Sequence, residues 1–432
     1  MKKILIWTPI PVQRKSSAEE FLADDLYRMN SGNLLFVTSV VRTLMVDQEV
    51  QFEPVFGMPG EMREENIECY NAEYSFFAIP LANAFRREYI EQLEKLTAFV
   101  KRLRIPCVVI GVGIQAALNR RMDEKYSYDD AVKRFMAAVL EKSVMVGLRG
   151  RHTADYLTHL GFTEEKDFTV IGCPSMYMWG AELPPIRKKE LNAKARICVN
   201  GKLASSELIH EWMKTNCALL PEYNYIPQRI EEFRMMGYGF PILNKGKGPA
   251  PKYLPVSRKD LLIREKRSVG FMSAYAWVDF MRNMDFAYGC NIHGSIAAVL
   301  AGTPCLTVIK DRRVEELVEY FEIPCVTEED MRSGRSVISL YERADYGPMQ
   351  RNHCRRFGHF VDFLNVNGVP HIHAAEAAVG DAPYDRCVHE LGILPPYYPR
   401  SAPEILKDPG TYRVWGKIAA QYGRRLSKKL LK

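Results

Sequence analysis

Residues 289–311 read GCNIHGSIAAVLAGTPCLTVIKD: the end of a short apolar run, an Asn-x-His-Gly turn, a helix of almost wholly small residues, and a β-branched strand. Small side chains let a helix approach a sheet closely, so this stretch reads as a strand–turn–helix–strand unit whose turn is held rigidly.

Outward from it the same alternation repeats. KKILIW, EYSFFAIPL, CVVIGVGI (107–114), SVMVGLR (143–149) and FTVIGCPS read as buried strands, separated by the helical stretches SGNLLFVTSVVRTLM, EYIEQLEKLTAFVKRL, DDAVKRFMAAVLEKS and HTADYLTHLG. The pattern lapses over 180–195, where Pro184 and Pro185 fall, and then restarts. ARICVNG, YNYIP, KRSVGFM, DFAYGCN and PCLTVIK are the second set of strands, with helices between them and a Gly, Pro and Lys-rich loop, GFPILNKGKGPAPKY. The expected fold is α/β, with two Rossmann-like doubly wound domains at 1–180 and 195–340 and a C-terminal extension at 341–432.

Composition narrows the class. At 432 residues, 47% hydrophobic and 26% charged, the chain suits a globular protein of more than one core. No run of eighteen apolar residues occurs, the start is too short in apolar residues for a signal core, and ten scattered cysteines form no Cys-x-x-Cys pair; a cytoplasmic protein with reduced thiols is expected. Of 59 basic residues seven lie in 413–432, which hold no acid, so the rest balances at 52 against 52. A charge excess confined to one tail argues against a nucleic-acid protein. That tail is amphipathic: it serves either as a closing helix packed on the body or as a peripheral contact with an anionic membrane at its inner face.

Ligands of open parallel sheets bind beyond the carboxyl ends of the strands. The loops that matter there hold Arg149, Arg151 and His152; Asn291, His293, Gly294 and Ser295; and Lys310, Arg312 and Arg313. A histidine, clustered cations and free N–H groups at helix starts point to a phosphorylated ligand. Gly111 and Gly113 lack the third glycine of a dinucleotide fingerprint, and no Walker-type loop or metal cluster is evident.

The ordered set resembles the polysaccharide pyruvyl transferase family. NIHGSIAAVLAGTPCLTVIK is similar to that family's Arg-x-His-Gly turn, small-residue helix, Gly-x-Pro strand entry and following lysine. MNSGNLLFVTSVVRTL, CVVIGVGIQ, GLRGRHTADYLTHLGF and VIGCPSM match further elements in order, over roughly residues 1 to 325. The resemblance implies a glycosyltransferase-B-like pair of facing domains that transfers the enolpyruvyl carbons of phosphoenolpyruvate to two hydroxyls of a sugar in a cell-surface polysaccharide precursor. It implies no cofactor beyond that donor, and a glycan acceptor, in one version lipid-linked. By position His293 is the expected acid and donor ligand, with Arg149 and Lys310 neutralising the donor, while Asn291, Gly294, Ser295, Arg151 and Asn33 bind substrate or phosphate. Asn291 departs from the family's arginine and loses a full charge; Arg151, Arg312 and Arg313 are the candidates to replace it. Two alternatives share this fold, a nucleotide-sugar glycosyltransferase and a catalytically silent member that binds glycan or partner proteins.

Overall fold

The computed structural model describes residues 2–26, 28–192, 194–243, 250–374 and 382–430, with side chains to residue 423. Six strands come before residue 171: β1 (Lys3–Trp7), β2 (Gln51–Val55), β3 (Tyr74–Pro80), β4 (Cys107–Ile110), β5 (Val146–Leu148) and β6 (Phe168–Val170). The first four make a parallel sheet in the order β2–β1–β3–β4, and β5 and β6 pair in parallel beside it, linked where Val112 bridges Leu148. A second parallel sheet has the order β8–β7–β9–β10–β11, from β7 (Ile197–Asn200), β8 (Tyr223–Tyr225), β9 (Phe286–Gly289), β10 (Cys305–Val308) and β11 (Cys325–Val326). In both sheets the order reverses between the first and third strands, and a crevice opens at such a reversal beyond the carboxyl ends. Two Rossmann-like parallel sheets of this order make the glycosyltransferase-B-like architecture.

Local chemistry accounts for the elements. All nine residues of the helix Ile292–Leu300 are buried, because Gly294, Ser295, Ala297 and Ala298 let it lie against the sheet and beside the helix Gly32–Leu44 of the other half. One apolar cluster therefore runs through both halves, joining Phe36 and Val40 to Ile296, Val299 and Phe360. Asn-x-His-Gly is not a free turn before this helix; Ile292, His293 and Gly294 form its first turn, and Asn291 holds the N-cap position without a side-chain cap bond. KRSVGFM is not a strand either. Ser268 bridges Tyr225 while Gly270 bridges Tyr397, so the segment divides its pairing between two partners. The edge strand β2 escapes a pattern reading because Gln51 and Glu53 are exposed and Pro54 interrupts it, as an edge tolerates.

The C-terminal part crosses back to the first sheet. The helix Gly347–Val366 brings Phe363 against Gly147, where a Cβ would lie 3.0 Å from its ring, and sets His359 Nε2 2.9 Å from Thr169 Oγ1. Deeper in the clasp the buried Arg42 donates from Nε and Nη2 to the Asp385 carboxylate, both at 2.8 Å. The final helix, Thr411–Leu430, buries Val414, Ile418 and Tyr422 against the body and pairs Lys417 with Asp24. Over its described side chains it is thus a closing helix. Much of GFPILNKGKGPAPKY, residues 244–249, lies outside the described residues. No helix among those described is long and apolar enough to cross a membrane.

Candidate functional site

The reversal points of the two sheets face each other across one cleft of about 470 Å³. Its walls come from the loops after β3 (Ala82, Asn83, Arg86) and β7 (Gly201, Lys202), from the start of the helix after β9 (Asn291–His293), and from Lys310 and Arg313 after β10. The segment Arg28–Asn33 closes it from the first half. Arg28 and Met29 sit at φ of 47° and 77°, a left-handed conformation costly for such residues, and the strain is held by pairing across the cleft. Ser31 N donates to Gln228 O at 2.8 Å, and Ile230 N donates to Met29 O at 3.2 Å.

His293 forms part of the cleft wall at the second position of its helix. Burial holds its pKa well below the ordinary histidine range, and the cations Arg149, Arg313 and Lys310 reinforce this, so the imidazole is neutral near pH 7. Its Nε2 is buried without a hydrogen-bond partner. Arg149 is fully buried behind it; Nε donates to Gly111 O at 2.9 Å and the guanidinium lies 5.0 Å from the Phe36 ring, yet Nη1 has no partner. Gln228 Nε2, on the cleft, is a third buried polar atom without one. Buried polar groups are almost always satisfied, so these atoms without partners among the described residues, the histidine's own Nε2 and two more, mark a place where a polar ligand or water completes the bonding. The N–H groups of Ile292 and His293 likewise have no partner among the described residues, and the helix start favours an anion.

Asn291 is fully engaged. Its N–H donates to Asn200 Oδ1 at 2.7 Å, its Nδ2 to Gly201 O at 2.9 Å, and its Oδ1 accepts from Lys310 Nζ at 3.0 Å. The residue that departs from the family pattern therefore positions a cation instead of supplying one. Gly294 is needed for close approach, since a Cβ there would lie 2.5 Å from Asn200 Nδ2. Asn33 lines the cleft.

Ser295 and Arg151 are placed elsewhere. Ser295 Oγ accepts from Thr307 Oγ1 at 2.7 Å beneath the helix, and Arg151 pairs on the surface with Asp155 and Glu164. Arg312 pairs with Glu315, whereas Arg313 reaches the cleft. Sequence reasoning missed Lys202, Arg28, Arg86, Gln228 and Arg229, all of which line it. Lys202 lies two residues past the end of β7; burial and the neighbouring Lys310 and Arg313 push its pKa down to about 8. The signal for it was the position just past a strand end, which becomes readable only once the reversal point is known. Six cations line the cleft against a single carboxylate, Glu88.

Behind the cleft, Glu316 reaches from the helix Arg312–Phe321 into the first half and accepts from Thr153 N at 3.0 Å and Thr153 Oγ1 at 2.9 Å. Complete burial raises its pKa to about 8 despite those bonds. Gly113 and Gly150 make room for it: a Cβ at Gly150 would lie 2.6 Å from Glu316 Cβ. Of the two glycines of GVGIQ, Gly113 thus serves packing between the halves, while Gly111, at a φ of 75°, packs against Pro174 and Phe36 within the first half.

Comparison with solved structures gives distant likenesses. They include a putative UDP-N-acetylglucosamine 2-epimerase from Listeria monocytogenes (10% identity, 84% of this chain and 94% of that one, TM-score 0.42) and an Anabaena protein in complex with UDP and glucose (10%, 85% and 98%, TM-score 0.40). An uncharacterized protein from Klebsiella pneumoniae is similar at 12% identity over 74% of this chain and 88% of that one, TM-score 0.40. No curated protein matches the sequence. The sequence profile described as polysaccharide pyruvyl transferase matches residues 83–311, more than half of the chain and the span carrying Arg149, Asn291, His293 and Lys310, and the chain belongs to that family.

Proposed function

We propose that the cleft binds phosphoenolpyruvate and transfers its enolpyruvyl carbons to two hydroxyls of one sugar of a polysaccharide precursor, forming a cyclic ketal and releasing phosphate. The observation that carries the reading is the neutral His293 at an uncapped helix start, ringed by Lys202, Lys310 and Arg313, with unsatisfied polar atoms around it. A ligand with both phosphate and carboxylate suits such a cluster, since charge-assisted bonds to oxyanions are the strong ones.

The proton inventory suits a single histidine. Each sugar hydroxyl gives up one proton; one ends on the methylene carbon, which becomes the methyl group, and the other leaves with phosphate. A neutral imidazole takes a hydroxyl proton, and the bound donor's anionic charge raises the histidine's pKa so that it can hand the proton to carbon. The cations stabilise the charge that builds on the departing phosphate. His293 thus starts as base and becomes the acid, which modifies the expectation of an acid alone.

Calorimetric titration with phosphoenolpyruvate tests the donor, and phosphate release with candidate glycans tests transfer. Micromolar donor binding abolished by His293→Ala is expected. Thermal stabilisation by UDP with none by phosphoenolpyruvate would overturn the reading in favour of a nucleotide-sugar glycosyltransferase.

A further inference from the structure

A second, smaller cavity of about 120 Å³ opens off the cleft and shares Arg28, Asn33, Asn83 and Arg86 with it at the mouth. Its inner wall is apolar: Trp7, Leu26, Phe36, Phe56 and Tyr89. It sits past the carboxyl ends of β1 and β3, at the reversal point of the first sheet, with two of the cleft's six cations, Arg28 and Arg86, at its mouth. The polar atoms at its back are partnered with one another, Trp7 Nε1 donating to Tyr89 Oη at 3.3 Å and Ile10 N to Thr8 Oγ1 at 3.0 Å. Arg28 stacks 4.4 Å from the Phe56 ring centre, and Trp7 and Phe56 lie 4.9 Å apart, so the aromatic wall is fixed.

Size and polarity restrict the occupant. Pockets that enclose a whole small-molecule ligand run from roughly 300 Å³ upward; the cleft meets that and the side cavity does not. The cleft's rim carries the amides of Asn30, Asn83 and Gln115; Asn83 Nδ2 donates to Gln115 Oε1 and Asn30 Oδ1 accepts from Gly32 N, which leaves Asn30 Nδ2, Gln115 Nε2 and Asn83 Oδ1 as the donors and acceptor a ring of hydroxyls requires. A sugar ring on this rim would direct one substituent into the cavity, where only an apolar group leaves no unsatisfied polar atom. We infer that this side cavity is a specificity pocket for a methyl-bearing substituent of the acceptor sugar. The inference rests on the reading of the cleft as a site for sugar acceptors.

The test pairs methyl glycosides that differ at one substituent, titrated into the full chain by ligand-observed NMR: a 6-deoxyhexoside against its hexoside, and an N-acetylhexosaminide against its hexoside. One methyl-bearing member should bind at least about tenfold more tightly than its partner, the range that a methyl group earns in an apolar pocket, and the two arms tell a deoxy methyl from an acetamido methyl. Leu26→Trp, which fills the cavity, and Phe56→Ala, which removes a wall, should each erase the preference while leaving phosphoenolpyruvate affinity unchanged. Equal binding within both pairs, binding of neither member, or a preference that survives both variants overturns the inference. Failure of wild-type protein to bind phosphoenolpyruvate counts against the donor reading alone.

Discussion

A Cβ on Gly32 would lie 2.3 Å from Nδ1 of His293 and 2.7 Å from its Cγ, so the start of the helix Gly32–Leu44 in one half fixes the imidazole that the other half supplies. The φ at Gly32 is unexceptional; the need is for space. Gly32→Ala must push the ring or the helix aside, at a cost of about 1–3 kcal/mol in stability. Donor affinity should fall roughly tenfold for a displaced ring, equivalent to about 1.4 kcal/mol. Thermal melting and calorimetry check both, and wild-type donor affinity would show that the ring's position is not critical.

Asn291 Oδ1 accepts from Lys310 Nζ while its Nδ2 is tied to Gly201. Asn291→Asp keeps the size but places a carboxylate beside the lysine and inside the anion site. Repulsion of the donor and neutralisation of Lys310 act together, and a loss of tenfold or more in phosphoenolpyruvate affinity is expected, on the scale of truncating a buried charge-assisted bond. Added salt should shrink the difference only in part, because the pair is half-buried in the cleft wall. Unchanged affinity in Asn291→Asp would place the donor away from Lys310.

How much of this was legible in the sequence depended on what kind of information each feature carries. The periodicity of Ile90 to Leu103 and the β-branched run at Cys107 to Ile110 record burial directly, and both elements form. β2 carries polar edge residues and a proline, and the helix Ala18–Asp24 is only seven residues long, so neither leaves a periodic trace. In the site, His293 and Lys310 were legible because they end recognisable elements. Arg28 and Gln228 were not, since they meet only through the pairing of Ser31 with Gln228 across nearly 200 residues, a long-range relation that no local pattern encodes. Ser295 looked like a ligand residue because it follows the His-Gly pair, but the helical turn of 100° per residue carries it to the sheet side.

Lys202 has a pKa pushed down to about 8 by burial and by Lys310 and Arg313. The lysine is charged below that value and neutral above it, so its attraction for an anionic donor is present at pH 7 and fades as pH rises through 8. The dissociation constant for phosphoenolpyruvate should therefore rise between pH 7 and pH 9, and Lys202→Met should weaken binding at pH 7 and flatten the profile. Parallel profiles for the two proteins would remove Lys202 from the donor site.

Glu316 joins the halves through Thr153 with its pKa raised from 4.5 to about 8 by burial. Between those values the folded carboxyl keeps a proton that the unfolded chain releases, so the folded state binds more protons and stability falls as pH rises across the window. The limiting slope for one group is about 1.4 kcal/mol per pH unit. Glu316→Gln retains an oxygen that can accept from Thr153 and cannot ionise, so the difference in stability between variant and wild type should grow in the variant's favour from pH 5 to pH 8 and level off above. His293, whose folded pKa is depressed, acts in the opposite sense and at lower pH, where the unfolded chain takes up the proton first; because it is present in both proteins its contribution cancels in the comparison. Urea denaturation at pH 5, 6, 7 and 8 measures the difference, and a constant offset across the series would mean that Glu316 is ionised at the junction.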